Sequence, residues 1–524
     1  MKIDDWVGKW ASIRPHKRAI ISEESFLSYD DLNSRAYQLA NLLHEKGTQK
    51  GDRVAVLLYN SKEYIEIVLA SSIIGAILVP LNLRLSGPEL EFILRDSQSD
   101  ILFFGEEFMD AVKTLKPNLP IREGGYICVG RANGSWAVHY ERAVREQPAE
   151  EPKVERAIGL KDPQMIMYTS GTTGLPKGAI LSHRKTFYNV LNANIYYELT
   201  PNDIFLLSRA LFHSGGLLVG VAPILYKGGT IILRKRLKPE VILQIIEKYR
   251  VTVIEAAATI FRFILEECDL EKYDLSSLRC CFTGGERVPV PLLEEYRRRG
   301  IVVSQIYGQT ETSTITWLPI AEASKRLGSV GVPVFHGDLK IVNKKGEDVK
   351  PGAVGEILVS GPILMDGYWR RPQQTRETVR NGWLHTGDLA RMDKDGFIYI
   401  VDREKDMYIS GGENVYPAEV EKIYLENPKV LNVAVVGVPD AKWGEVGAVF
   451  IVLKNGEKMT EEEVLGFCEG KIAKYKIPKA VAFVRELPTT AAQKIQRYKL
   501  REDFLRDHSL GAHQGYEPVP QSPE

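Results

Sequence analysis

Tyr168-Thr169-Ser170-Gly171-Thr172-Thr173-Gly174-Leu175-Pro176-Lys177-Gly178 follows without interruption on the apolar run Met165-Ile166-Met167. An apolar run that opens into hydroxyls and glycines reads as a strand ending in a loop built for a polyphosphate. Glycines let backbone N–H groups close on phosphate oxygens, the hydroxyls donate further hydrogen bonds, and one lysine neutralises charge. The loop is not of the Walker A type, because Gly171 and Gly174 are wrongly spaced and no G-K-[ST] follows.

The same strand texture recurs on both sides of the loop. From Ser28 to about Phe104, helical periodicity (Tyr29 to Leu43, Tyr64 to Ile74, Leu90 to Leu94) alternates with short β-branched runs (Val54 to Leu58, Ile101 to Phe104). Residues 164 to 310 repeat the rhythm, with strand-like Thr230 to Leu233, Val253 to Ala256 and Val302 to Ile306. Such alternation implies βα units on largely parallel sheets. The expected fold class is α/β, a large N-terminal lobe of stacked α/β layers. After Gly328, short strands between Gly, Asp and Lys turns predict a small β-rich subdomain, as in Asp338 to Val342, Glu356 to Val359 and Phe397 to Val401. The polar stretch Asp402-Arg403-Glu404-Lys405-Asp406 then leads into a compact α+β segment. The predicted divisions are a lobe over 1–402, a small α+β domain over 403–507 and a disordered tail over 508–524, where Pro, Gly, Gln and Glu leave no periodicity.

Composition bounds the function classes. At 524 residues the chain exceeds one ordinary core of ~100–200 residues. An apolar fraction of 44% and a charged fraction of 26% belong to soluble globular proteins. Lys+Arg and Asp+Glu both number 68, so no net field draws the chain to nucleic acid or anionic lipid. The local clusters Arg234-Lys235-Arg236-Lys238 and Arg297-Arg298-Arg299 leave peripheral membrane contact open. Five cysteines without C-x-x-C spacing read as buried thiols in a reducing cytosol. The start, Met1-Lys2-Ile3-Asp4-Asp5, carries acids and no apolar signal region. The longest apolar stretch, Ile67 to Leu81, is shorter than the ~20 residues of a spanning helix and reads as a core helix running into a strand. A cytoplasmic protein is expected.

Further along the chain, Glu311 follows Tyr307-Gly308 after a strand, where a carboxylate could hold Mg²⁺ beside phosphates, although taken alone it reads more readily as an exposed loop glutamate. By themselves Gly284-Gly285, Asp388, His213 and Lys494 mean no more than a turn, a turn former, a capping histidine and a solvated charge. Their order along the chain means more. Phe212-His213-Ser214-Gly215-Gly216, Thr283-Gly284-Gly285-Glu286, Tyr307-Gly308-Gln309-Thr310-Glu311, Gly355-Glu356-Ile357 and Gly382-Trp383-Leu384-His385-Thr386-Gly387-Asp388 follow the loop in turn. Asp402-Arg403, Ser410-Gly411-Gly412-Glu413-Asn414-Val415-Tyr416-Pro417-Ala418-Glu419 and Lys494-Ile495 complete the series. Over roughly residues 10 to 505 this series resembles the adenylate-forming superfamily, which contains acyl-CoA synthetases, firefly luciferases and peptide-synthetase adenylation domains.

The resemblance implies roles. Thr169, Ser170, Gly171, Thr172, Thr173, Gly174 and Lys177 would hold the ATP phosphates. Thr169 and Glu311 would be the Mg²⁺ ligands. Gly284, Gly285, Glu286, Tyr307, Gly308, Gln309 and Thr310 would form the adenine side of the site, and Asp388 with Arg403 would take the ribose hydroxyls. His213, Ser214, Gly215, Gly216, Leu217 and Gly308 would wall the acyl site, with Gly215 and Gly216 leaving it open for an alkyl chain. Some long-chain members place a tryptophan where this chain has Leu217. Lys494 would bridge the substrate carboxylate and the α-phosphate, although Gln493 stands where the family usually has glycine. Lys405 occupies the hinge position of a mobile C-terminal domain, and Gly411, Gly412 and Glu413 face the CoA step.

What the resemblance implies is an AMP-forming acyl-CoA synthetase with ATP, Mg²⁺ and coenzyme A. A carboxylate is a poor acyl donor, and attack on the ATP α-phosphate gives it AMP as leaving group. The run Lys405 to Pro417 is most similar to bacterial-type fatty-acyl-CoA synthetases, so the expected substrate is a medium- to long-chain fatty acid. A benzoate- or coumarate-like aromatic acid is the runner-up, and loading of a carrier protein is a further alternative. Partners are a small carboxylic acid, ATP and CoA, with no nucleic acid; a homodimer stays open.

Overall fold

Strand side chains alternate in direction, and that alternation assigns each strand residue to one of two cores. A computed structural model describes residues 2–509 apart from 24, 132–134, 154–156, 170–175, 286–287, 404–405, 411–412, 441–442, 470, 473 and 490–493. For 413–414 and 507–509 it describes the backbone alone. A nine-stranded sheet runs Val332–Pro333, Ser313–Trp317, Val303–Gln309, Cys280–Gly284, Val253–Glu255, Ile204–Leu207, Thr230–Ile232, Arg18–Ile21, Phe26–Ser28. It is parallel from Val303–Gln309 to Arg18–Ile21 and antiparallel at both edges. An eight-stranded sheet runs Gly367–Tyr368, Lys177–Ser182, Pro163–Thr169, Ile77–Pro80, Arg53–Leu57, Ile101–Gly105, Tyr126–Val129, Val138–His139.

Phe205, Leu207, Val253 and Phe282 of the first sheet share an inner core with Val54, Val56, Met165 and Met167 of the second. Leu206, Ile254 and Cys281 face one outer layer, and Ala55, Leu57 and Ile166 another. The expected α/β fold of stacked layers is therefore present. Helix Lys62–Ile74 is buried from Tyr64 to Ile74, as an inner helix must be. It ends at left-handed Gly75 and feeds Ile77–Pro80, the helix-then-strand reading of the long apolar stretch. Among the described residues no helix is long and apolar enough to cross a membrane.

The chain divides into two compact units, residues 1–386 with 391–399, and 387–390 with 400–524. The β-rich texture after Gly328 becomes a five-stranded sheet of Asp338–Val342, Val354–Ser360, Trp383–Met392, Val379–Arg380 and Ile398–Arg403. The second unit holds a five-stranded sheet with helices Pro417–Tyr424, Glu461–Phe467 and Arg497–Ser509. Val433, Val435, Val449 and Ile451 face one core and Val436, Phe450 and Leu500 the other. Its last helix ends at Ser509, and residues 510–524 of the expected tail lie outside the described residues.

Candidate active site

Eight elements carry the site, numbered in chain order: β1 (Pro163–Thr169), β2 (Lys177–Ser182), α1 (His183–Tyr197), β3 (Ile204–Leu207), β4 (Val253–Glu255), β5 (Cys280–Gly284), β6 (Val303–Gln309) and β7 (Ser313–Trp317). β1 and β2 pair antiparallel with Thr169 opposite Lys177, so the phosphate-type loop is the connection of a hairpin. Ser170, Gly171, Thr172, Thr173 and Gly174 lie outside the described residues. Lys177 holds its Nζ 5.5 Å from the centre of the Tyr368 ring, and the Tyr368 hydroxyl donates to Glu311 Oε1 at 2.9 Å. One tyrosine thus joins the loop lysine to the candidate metal carboxylate. Burial, reinforced by the Glu311 carboxylate, pushes the Tyr368 phenol far up, so it stays a donor. Tyr368 pairs onto β2 from a two-residue strand. Nothing local in Gly367-Tyr368-Trp369 marks it, and sequence reading missed it.

Glu311 sits in the connection between β6 and β7. Gln309 pairs with Ser313, the Thr312 N–H closes on the Gln309 carbonyl at 3.2 Å, and Ser313 follows at φ 58°. The chain thus returns through a left-handed residue that pairs with Gln309, and the register shift of the two strands lies further in, between Tyr307 and Gly308. Tyr307 and Gly308, expected after a strand ending at Ile306, lie within β6 itself, because β7 pairs with it as far as Gln309. Gly308 has no room for a side chain, since a Cβ there would lie 1.7 Å from the Ser313 carbonyl oxygen. Gln309 donates to the Thr386 carbonyl at 2.9 Å, and the Glu311 carbonyl accepts from Met365 N–H at 2.7 Å. Magnesium takes hard oxygen ligands and keeps water and phosphate in most of its six positions. A threonine hydroxyl and a glutamate carboxylate fit that need, and no cluster of three or more His, Cys, Asp or Glu side chains that could cage a metal occurs among the described residues.

Of the two glycines expected to open the acyl wall, Gly216 has a backbone requirement of its own. A Cβ on Gly216 would lie 2.3 Å from the Ala210 carbonyl oxygen, so this glycine permits close backbone packing. Gly215 begins a π-helical stretch, Gly215–Val221, in which Gly216 and Leu217 are buried. His213 is exposed and Ser214 half-buried. Beside Gly215 stand two charged groups that sequence reading also missed. Arg209, just past β3, lies 2.6 Å through Nε from Glu255 Oε1 at the end of β4, and donates through Nη2 to the Gly284 carbonyl at 2.6 Å. A Cβ on Gly215 would meet Arg209 Cδ at 3.3 Å and Glu255 Oε1 at 3.9 Å. Burial pushes the Glu255 carboxyl up against the pull of Arg209.

Gly284 and Gly285 each have a backbone reason. A Cβ on Gly284 would lie 2.1 Å from the Ile306 carbonyl oxygen, and Gly285 adopts φ +77°. Gly284 pairs with Ile306, so Tyr307 follows at the same end of the sheet. Thr310 is half-buried in the turn, and Glu286 lies outside the described residues.

In the second unit Arg403 Nε lies 3.0 Å from Asp388 Oδ1, bringing together the two residues expected at the ribose. Asp402 accepts from the N–H of Ala418 and of Arg403, each at 2.8 Å, and burial raises its carboxyl to about 6. Lys494 is exposed beside the bridge between Thr489 and Ile495. Lys405, Gly411, Gly412, Gln493 and the side chain of Glu413 lie outside the described residues.

The AMP-binding enzyme model matches residues 7–369, and the model of the AMP-binding enzyme C-terminal domain matches residues 419–494. This chain belongs to the AMP-binding enzyme family. The enzyme is similar to a feruloyl-CoA synthase of an Amycolatopsis species, 39% identical over 96% of this chain and 99% of that one. It is also similar to an indoleacetate–CoA ligase of Aromatoleum aromaticum, 37% identical over 97% and 99%. Among solved structures, o-succinylbenzoate CoA synthetase of Bacillus subtilis in complex with ATP and magnesium matches with a TM-score of 0.84 at 33% identity, covering 94% of this chain and 98% of that one. These relatives are named for aromatic acids, so they favour the runner-up substrate class over the expected fatty acid.

Proposed function

We propose that this AMP-forming carboxylic acid–CoA ligase takes an aromatic acid. The observation that carries this reading is that the enzyme is 37 to 39% identical, over nearly its whole length, to ligases named for feruloyl and indoleacetate substrates. The Arg209–Glu255 pair beside Gly215 supports it, because a saturated chain laid along that wall would leave two desolvated charges facing methylene groups.

The reaction runs in two halves. The substrate carboxylate oxygen attacks the ATP α-phosphorus and pyrophosphate leaves, giving an acyl-adenylate; the CoA thiol, giving up its proton, then attacks the carbonyl carbon and AMP leaves. Lys177 steadies the phosphates, held in place over the Tyr368 ring. Thr169 and Glu311 would hold magnesium, which would supply charge neutralisation at the phosphate oxygens. Tyr307 offers a face to adenine across Gly284-Gly285, and Asp388 accepts from the ribose hydroxyls with Arg403 orienting it. Lys494 bridges carboxylate and α-phosphate as charge builds, and the small C-terminal domain turns about Lys405 before the thiol attacks.

ATP–pyrophosphate exchange and CoA thioester formation with ferulate, indole-3-acetate, 2-succinylbenzoate, benzoate, octanoate and palmitate test the reading. The expected outcome is a kcat/KM highest for one of the aromatic acids. A saturated acid that outperforms all of them would return the substrate to the fatty class.

A further inference from the structure

Lys185, the third residue of α1, is wholly buried in the large lobe. An amine removed from water is costly unless partnered, and this one hydrogen-bonds to the Ser313 hydroxyl of β7, far along the chain. Burial brings the amine down to about 7, although the carboxylates of Glu311 and Asp366 act on it. Ser313 is not an ordinary partner. It holds φ 58° directly after Thr310-Glu311-Thr312, a left-handed backbone conformation that favours glycine. Its carbonyl packs against Gly308, which tolerates no Cβ. A left-handed residue with a side chain persists only where its surroundings over-determine it, and the Lys185 amine supplies that constraint from the neighbouring helix.

We propose that Lys185 is a positioning residue for the magnesium carboxylate: its amine clamps Ser313 in the left-handed conformation that returns the chain after Glu311, and so fixes where the Glu311 side chain points. The inference rests on Glu311 being a magnesium ligand. Released from the clamp, Ser313 relaxes toward an ordinary conformation, the turn shifts register, and Glu311 leaves the Tyr368 hydroxyl that orients it.

Calorimetric titration of the full chain with ATP, with magnesium present and with magnesium chelated, tests this. In Lys185→Met, an unbranched apolar side chain of similar length, affinity for magnesium–ATP falls about tenfold, the scale of one lost hydrogen bond to a charged group. Affinity for ATP without magnesium stays at the parent value. Ser313→Ala, which removes the clamp from its other end, gives the same selective loss and carries the comparison if Lys185→Met does not fold. Lys185→Met combined with Ser313→Gly recovers most of the loss, because glycine holds a positive φ without help. Equal loss with and without magnesium, or no recovery in the double variant, overturns the proposal. Glu311→Gln separates it from the reading it rests on. Magnesium-dependent affinity kept in Glu311→Gln removes Glu311 as ligand. Affinity lost there but kept in both Lys185→Met and Ser313→Ala overturns only the role of Lys185.

Discussion

His183 begins α1 with its ring buried and with neither nitrogen hydrogen-bonded among the described residues. Burial, helped by Lys2, lowers its imidazole to about 4, so it is neutral in the folded enzyme at pH 7. The unfolded chain takes up this proton near pH 6.5, whereas the folded chain does so only near pH 4. The stability contribution is therefore full above the unfolded value and is lost as pH falls toward the folded one. Between pH 7 and pH 5 the parent is expected to lose about 2 kcal/mol more than His183→Leu. Denaturant unfolding of both proteins at the two pH values checks this, and parallel losses would show that the ring is protonated in the fold. None of this was legible in Ser182-His183-Arg184, because burial is set by sheets whose strands are scattered along the chain.

At the scale of elements, the segment from His213 to Leu217 separates two kinds of glycine. Gly216 is held against a backbone carbonyl of its own turn, and backbone cannot give way as a side chain can. Gly216→Ala is expected to destabilise the enzyme by about 1–3 kcal/mol, the cost of overpacking. Gly215→Ala meets only the flexible Arg209 side chain and the edge of Glu255, so it should melt close to the parent while changing the ranking of acids in kcat/KM. Thermal melts and a small acid panel on the two variants decide it. The opposite assignment, Gly216→Ala folding normally with a shortened substrate range, would restore an open channel. From the sequence both glycines have one expected role, and the difference between them comes from what lies across the turn.

For the whole molecule, the division into 1–386 with 391–399 and 387–390 with 400–524 places Lys494 in a different compact unit from Thr169 and Glu311. If Lys494 acts only while the α-phosphate is under attack, Lys494→Ala should cut ATP–pyrophosphate exchange by about 10²–10³-fold while leaving CoA transfer from a supplied acyl-adenylate near the parent rate. Stopped-flow measurement of each half-reaction separates the outcomes, and equal losses in both would make Lys494 structural. The second unit has its own anchor for such work. Arg497 reaches Glu421 with two hydrogen bonds at 2.7 and 2.8 Å and lies 3.4 Å from Asp406, so the helix that follows Lys494 is tied to helix Pro417–Tyr424 independently of any substrate.

The amino-acid sequence by itself determined the family and the α/β layering. A phosphate loop works through consecutive backbone N–H groups, so its residues must be neighbours in the chain, and strand and helix periodicities are likewise local. Strands such as Val54 to Leu58 and Ile101 to Phe104 could therefore be read directly from the sequence. What only the tertiary structure decided is which side chains meet. Arg18–Ile21 finds Thr230–Ile232, Tyr368 finds Glu311, Lys185 finds Ser313 and Arg209 finds Glu255. Each pair is distant in sequence, and no local pattern encodes it. The relatives favour the runner-up substrate class over the expected fatty acid, and chemistry common to the family is carried by contiguous motifs, whereas pairs such as Arg209 and Glu255 come from strand ends that only folding brings together.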